Sequence, residues 1–333
     1  MIALSYKDNT TALNDLKGRI INSIDNAISM FAVVADSDQY FQLRGIGLDR
    51  DEGTQEFDLE ILESGLVDYT DPELMAPIDD AIEDNGKIAV IPLDYFNIDK
   101  KEVSKISRLL AMVDDLSQEN SHYEQLSPSD ISEVLGIIFC YRVGADTVYA
   151  YQKTQNMWAV KHSKLFIVNE KIKLYTKESL RIGNKFDFII YNEVLYVKKF
   201  NVLISQFAFM RTLRMHATTL VAQLNNIVSD TNKFLVNKVE GEDKRIIRKL
   251  IKVQNSPVLN MSPISLKTRI ESMPEYQNTF KYDEHGRIEI VHKKDINNLL
   301  RVLNDQVLQS PLTDARYESV NKIQLAHKTT SNK

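Results

Sequence analysis

The sequence predicts an α+β protein of antiparallel β hairpins and packed helices, arranged in two halves of opposite charge. Three observations carry this prediction. Short apolar or alternating runs, bounded by Gly, Asn and Asp, recur at hairpin spacing. Between them stand segments whose apolar residues repeat at helical spacing. The charge changes sign midway: residues 1–146 hold 29 Asp+Glu against 11 Lys+Arg, and residues 147–333 hold 17 against 30.

Taken in order, Thr11–Met30 reads as an amphipathic helix, with Leu13, Leu16, Ile20, Ile24, Ala27 and Ile28 inward and Thr10 or Thr11 as cap. Strands follow over Phe31–Ala35, Tyr40–Leu48 and Gln55–Leu62, an antiparallel meander with polar hairpin loops. Asp71–Asp84, with Pro72 near its start, reads as a short helix around Leu74, Ile78 and Ile82. Lys87–Leu93 is a buried strand and Lys101–Leu116 a helix. After a polar loop, a short helix at Ser129–Leu135 leads into a hairpin of Ile137–Val143 and Thr147–Lys153. A domain boundary is placed at 146/147, where the charge sign changes. Trp158–Lys164 and Leu165–Thr176 add two strands with Lys161, Lys164, Lys171, Lys173 and Lys177 along one face.

The stretch that organises the second half is Phe186–Ala217: a strand to Tyr191, a tight turn at Asn192 and Glu193, and a strand over Val194–Lys198. A long helix then opens near Asn201 and runs toward Asn232, with Leu203, Phe207, Met210, Leu213, Ala217 and Leu220 at helical spacing. The segment GEDKRIIRKLIKV gives a second helix. A further helix is read at Ile264–Ser272, a hairpin at Thr279–Tyr282 and Arg287–His292, and a last helix at Asp295–Leu303. A closing strand spans Tyr317–Leu325. The domain of residues 147–326 ends there, and 327–333 read as a disordered tail.

Several kinds of chemistry find no support. No GxxxxGK[ST] loop, HExxH or GxSxG motif occurs, and Gly45-Ile46-Gly47 lacks the third glycine of a dinucleotide site. His162, His216, His285 and His292 show no metal spacing. The single cysteine, Cys140, lies in the apolar run IIFCYRV and reads as a buried, inert thiol. The carboxylates between Glu52 and Glu73 lack calcium-loop spacing and read as a solvated face. No cofactor or metal is predicted. No run of about 18 uncharged apolar residues and no signal peptide is found, which predicts a cytoplasmic protein.

Positive charge is the strongest functional signal. In the second helix Lys244, Arg248 and Lys252 stand at i, i+4 and i+8 with Arg245 and Lys249 beside them, and no acid interrupts the stripe. A solvated helical face ordinarily mixes signs so that i, i+4 pairs form. An unmixed stripe suits either a phosphate-lined groove or the acidic first half of the chain. Lys198, Lys199, Arg211 and Arg214, at the junction of the central hairpin and its helix, form a second group. The enzymatic rival is a Mg²⁺-dependent nuclease using Asp187, Glu193 and Lys198, although the acidic-x-Lys step of such hairpin sites is absent.

The hairpin FDFIIYNEVLYVKK followed by Phe200 and Phe207 resembles a known family. So does the ending: Asn304-Asp305-x-x-Leu308, then SPLTDARY, then a strand with Lys322 and Leu325. Both look like the KwaB family, the large soluble component of the two-gene Kiwa anti-phage defence system, over about Thr154–Gln324. Asn201 departs from the pattern, in which an acidic residue follows the aromatic that opens the long helix. The resemblance implies a DNA-binding protein rather than an enzyme. It also implies a small multi-span membrane partner that recruits the protein to the inner face of the cell membrane, and self-association into a homodimer or larger homo-oligomer. There it would bind phage DNA without sequence specificity and hinder replication and late expression. Charge complementarity suggests that the acidic half faces basic loops of that partner.

Overall fold

A computed structural model of the chain describes residues 6–22, 28–35, 41–47, 61, 64–82, 86–96, 105–116, 123–143, 146–154, 164–168, 171–175, 182–183, 185–274, 276–304, 307–309 and 316–318. It divides into two compact units, Met1–Thr212 and Leu213–Lys333. The fold is α+β, as the alternation of hairpin and helical patterns predicts.

The first unit is organised by an eight-stranded sheet. Its strands are β1 (Ile28–Ala35), β2 (Phe41–Ile46), β3 (Met75–Pro77), β4 (Ile88–Pro92), β5 (Val134–Val143), β6 (Asp146–Lys153), β9 (Phe188–Tyr191) and β10 (Val194–Val197). They lie in the order β2-β1-β5-β6-β9-β10-β4-β3. All neighbours are antiparallel except β3 and β4. Both faces are dry, because successive side chains alternate across the pleat and both sets are apolar. Ile137, Phe139, Tyr141, Val148, Ala150, Ile189 and Tyr191 share one core with Leu13 and Leu16 of α1 (Tyr6–Asn22). Tyr151 and Phe188 stack 4.6 Å apart and meet Phe207 edge-on at 5.2 and 5.7 Å. Cys140 is fully buried in β5, and burial raises its thiol pKa, as an inert cysteine requires.

The central hairpin forms as predicted. Asn192 and Glu193 are both left-handed, at φ 54° and 60°. Tyr191 stands opposite Val194, the arrangement of a type I′ turn. The hairpin of β5 and β6 also forms, and the remaining helices of the first unit include α2 (Ile78–Ala81) and α3 (Lys105–Leu116). β7 (Lys164–Val168) and β8 (Lys171–Tyr175) pair only with each other among the described residues. Trp158, Lys161 and Lys177 lie outside the described residues.

Three expectations are corrected. The first helix ends at Asn22, and Ile28–Met30 start β1, because the run ISMFAVVA is β-branched and aromatic and suits a strand. Of the expected strand at Gln55–Leu62, residues 55–60 and 62 lie outside the described residues, and Ile61 is helical. The expected helix at Asp71–Asp84 is the short parallel strand β3 followed by α2, with Pro77 in extended backbone between them. The long helix is two: α4 (Phe200–Gln206) and α5 (Phe209–Leu224), separated by Ala208 at φ 53°. That left-handed residue lets Phe207 and Phe209 both reach the core, each fully buried, which an unbroken helix would not allow. The two units divide within α5, at Thr212/Leu213. Strands from both sides of 146 share one sheet, since backbone pairing follows register and ignores net charge. The asymmetry survives: residues 1–212 hold 33 Asp+Glu against 22 Lys+Arg, and residues 213–333 hold 13 against 19.

The second unit packs α6 (Phe234–Glu240), α7 (Lys244–Val253) and α9 (Lys293–Leu303) against one another. It also holds α8 (Pro263–Ser272), the sheet β11-β13-β12 (Val228–Ser229, Ile288–Glu289, Lys281–Tyr282) and a pair of β14 (Val307–Gln309) with β15 (Arg316–Glu318). α5 stops at Leu224 rather than near Asn232, because Val228 and Ser229 pair with Ile288 and Glu289. Asp230 then accepts hydrogen bonds from the backbone N–H of Phe234 at 2.8 Å and of Leu235 at 2.7 Å. Those bonds satisfy the first free donors of α6, an element the sequence pattern does not announce. Tyr317 and Glu318 of the expected closing strand lie in β15; the rest of it and the tail lie outside the described residues.

Candidate nucleic-acid interface

Every residue of α7 is either a cation or apolar. At about 100° per residue, Lys244, Arg248, Lys252, Arg245 and Lys249 fall within an arc of about 140°. Ile246, Ile247, Leu250, Ile251 and Val253 fill the opposite arc, and all five are buried. The helix starts at Asp243, whose carboxylate accepts from the Ile246 N–H at 3.2 Å and from Lys238 Nζ at 2.7 Å. The Lys238 hydrogen bond, against a smaller effect of burial, holds the Asp243 carboxyl below its ordinary range. Lys244 and Arg245 are exposed, and Arg248, Lys249 and Lys252 are half-buried. Among the described residues no carboxylate lies within ion-pair distance of Lys244, Arg245, Arg248 or Lys249, and the buried Nε–H of Arg248 finds no acceptor. Lys244 to Lys252 spans about 12 Å along the axis.

The junction group is different. Lys198 is ion-paired with Asp68, and burial followed by the charge of Lys199 lowers its pKa. Lys199 Nζ lies 2.6 Å from Asp187 Oδ1. Arg214 pairs with Glu242 at 2.7 Å. Arg211 is exposed at the start of α5, its backbone N–H donating to the Ala208 carbonyl at 2.9 Å. Three of the four are thus ion-paired with carboxylates.

A family model described as "Kiwa protein KwaB-like" matches residues 131–313. The chain belongs to the KwaB-like family. Membership ties it to Kiwa anti-phage defence. No curated protein and no solved structure matches it. In this KwaB-like protein the matched stretch holds β5 and β6, the central hairpin and all of α7.

The same hairpin positions the three residues of the nuclease alternative, and it separates them. Asp187 is 2% exposed. One of its carboxylate oxygens faces Lys199 and the other accepts from the Lys153 N–H at 2.7 Å. Its backbone carbonyl takes the N–H groups of Lys198 and Lys199 at 3.0 and 3.1 Å. Glu193 sits at the turn, about 15–20 Å away along β9, and Lys198 belongs to Asp68. Asp187 therefore locks the open end of the hairpin to β6, a structural task for which a buried carboxylate with a charged partner is suited.

Sequence pattern alone gives no notice of a cleft beside the start of α7 in this KwaB-like protein. Phe234, Asn237, Lys238, Gly241, Asp243 and Lys293 line an open depression of about 600 Å³ there. The signal available was Lys293-Lys294 just ahead of Asp295, which accepts from the backbone N–H of His292 at 2.8 Å and so marks the first turn of α9.

Proposed function

We propose that this KwaB-like protein binds DNA through its phosphates, without reading sequence, and that α7 is the contact surface. The supporting observation is the arc of five cations, of which Lys244, Arg245, Arg248 and Lys249 carry no ion pair among the described residues. Arginine and lysine on one helical face neutralise phosphates and release counterions, a sequence-independent source of affinity. The polar residues of the stripe are all Lys and Arg, which serve in this proposal as phosphate contacts. Through this binding the protein hinders phage DNA replication and late expression.

Recruitment to the inner membrane face by a small multi-span partner, and self-association, belong to the same proposal and rest on the family. No described helix is long and apolar enough to cross a membrane. The acidic first unit is the proposed face for basic loops of the partner. Its test is neutralisation of exposed carboxylates followed by a membrane-recruitment assay. Unchanged recruitment removes the proposal for that face.

A gel-shift titration at about 50 and 200 mM salt, with and without Mg²⁺, tests the reading. Shifted, intact DNA whose affinity falls steeply with salt supports it. Mg²⁺-dependent cleavage favours a nuclease, and no shift at either salt favours a scaffold.

A further inference from the structure

We propose that the cleft at the start of α7 holds one unpaired nucleotide of the bound DNA. This inference rests on the DNA-binding reading. The cleft is open to solvent and offers about 600 Å³. That volume lies within the range of small-molecule sites. Two of its charged groups are already engaged: Asp243 caps α7 and pairs with Lys238. Three groups are left to meet a ligand. Among the described residues the Lys293 ammonium has no ion pair, the Asn237 side-chain amide no hydrogen bond, and the half-buried Phe234 ring no aromatic or cationic partner.

These three match the parts of a nucleotide. An aromatic ring stacks a base whatever its identity. A side-chain amide carries a donor and an acceptor for a base edge. A lysine takes a phosphate as a point charge. A paired base inside a duplex offers no free face for such stacking, so the cleft selects a nucleotide at a frayed end, an overhang or a gap. Its position agrees: Asp243 lines it and Lys244 follows directly in the chain, so a strand contacting the cations of α7 reaches the cleft at their N-terminal end.

The test uses the full-length protein and three labelled probes of one sequence: a covalently closed circle, a blunt linear duplex, and that duplex with one unpaired nucleotide. Anisotropy titrations should show the overhang probe bound at least about fivefold more tightly than the closed circle, the low end for one base stacked on one ring. Phe234→Ala and, separately, the exposed-site changes Asn237→Ala and Lys293→Gln should erase that preference and leave closed-circle affinity unchanged. Equal binding of all three probes by the wild type overturns the proposal, as does a preference that survives all three substitutions. Competition by free dAMP with no difference between probes assigns the cleft to a free nucleotide and overturns it too. Failure to bind even the closed circle is the separate failure of the α7 reading.

Discussion

Neutralising three cations of α7 gives the most quantitative consequence of the fold. In Lys244→Gln, Arg248→Gln, Lys252→Gln the apolar arc of the helix is untouched, and Gln is nearly as good a helix former as Lys or Arg, so α7 should stay folded. If each of the five cations meets one phosphate, log K falls against log salt with a slope of about −4.5, at about 0.9 per contact. Between about 50 and 200 mM salt the wild type then loses about 500-fold in affinity. With two contacts left the slope becomes about −1.8 and the loss about 12-fold, while affinity at about 0.15 M drops by about two orders of magnitude. Fluorescence anisotropy with a labelled duplex of about two turns, at three salt concentrations and with two unrelated sequences, reads all of this. A variant with an unchanged slope refutes the reasoning, because the phosphates must then be met elsewhere. A loss confined to one sequence refutes its sequence-independent part.

Three further predictions follow from the ion pairs and the backbone. Lys198→Gln with Lys199→Gln should leave the salt slope unaltered and lower stability by about 1–2 kcal/mol in urea unfolding, because buried Asp187 loses its charged partner while Lys199 is itself half-exposed. A slope reduced by about 2 would instead restore the junction group as a DNA surface. Asp243→Ala should cost about 1 kcal/mol through the lost cap of α7. Because its carboxyl is held low in the folded state, that contribution is present above the ordinary carboxylate range and disappears as pH falls through the depressed value, so wild type and variant should converge in acid. Ala208→Gly should raise stability by about 0.5–1 kcal/mol, since relief of a left-handed non-glycine outweighs the extra freedom of the unfolded chain; a lower melting temperature contradicts it.

Local pattern and tertiary demand account for what could be read in advance. The hairpin of β9 and β10 was legible because Asn192 and Glu193 separate two short apolar strands at type I′ spacing. The helix α7 was legible because its cations and apolar residues separate cleanly at the helical period. The break at Ala208 was not: Leu203, Phe207, Met210 and Leu213 keep helical spacing across it, and only the aromatic core demands that Phe209 turn inward as well. The unit boundary was hidden because charge balance carries no information on strand pairing. Which lysines find a carboxylate among the described residues was hidden too. Lys198 and Lys199 look like Lys244 and Lys249 in sequence, and only the fold brings Asp68 and Asp187 to the first two.

Lysine footprinting tests the central claim most directly. The full-length protein is acetylated with and without saturating duplex DNA, and modification is quantified site by site by mass spectrometry. Protection of Lys244, Lys249 and Lys252, with Lys198 and Lys199 unchanged, is the predicted result. DNA that binds while those three stay equally reactive contradicts it.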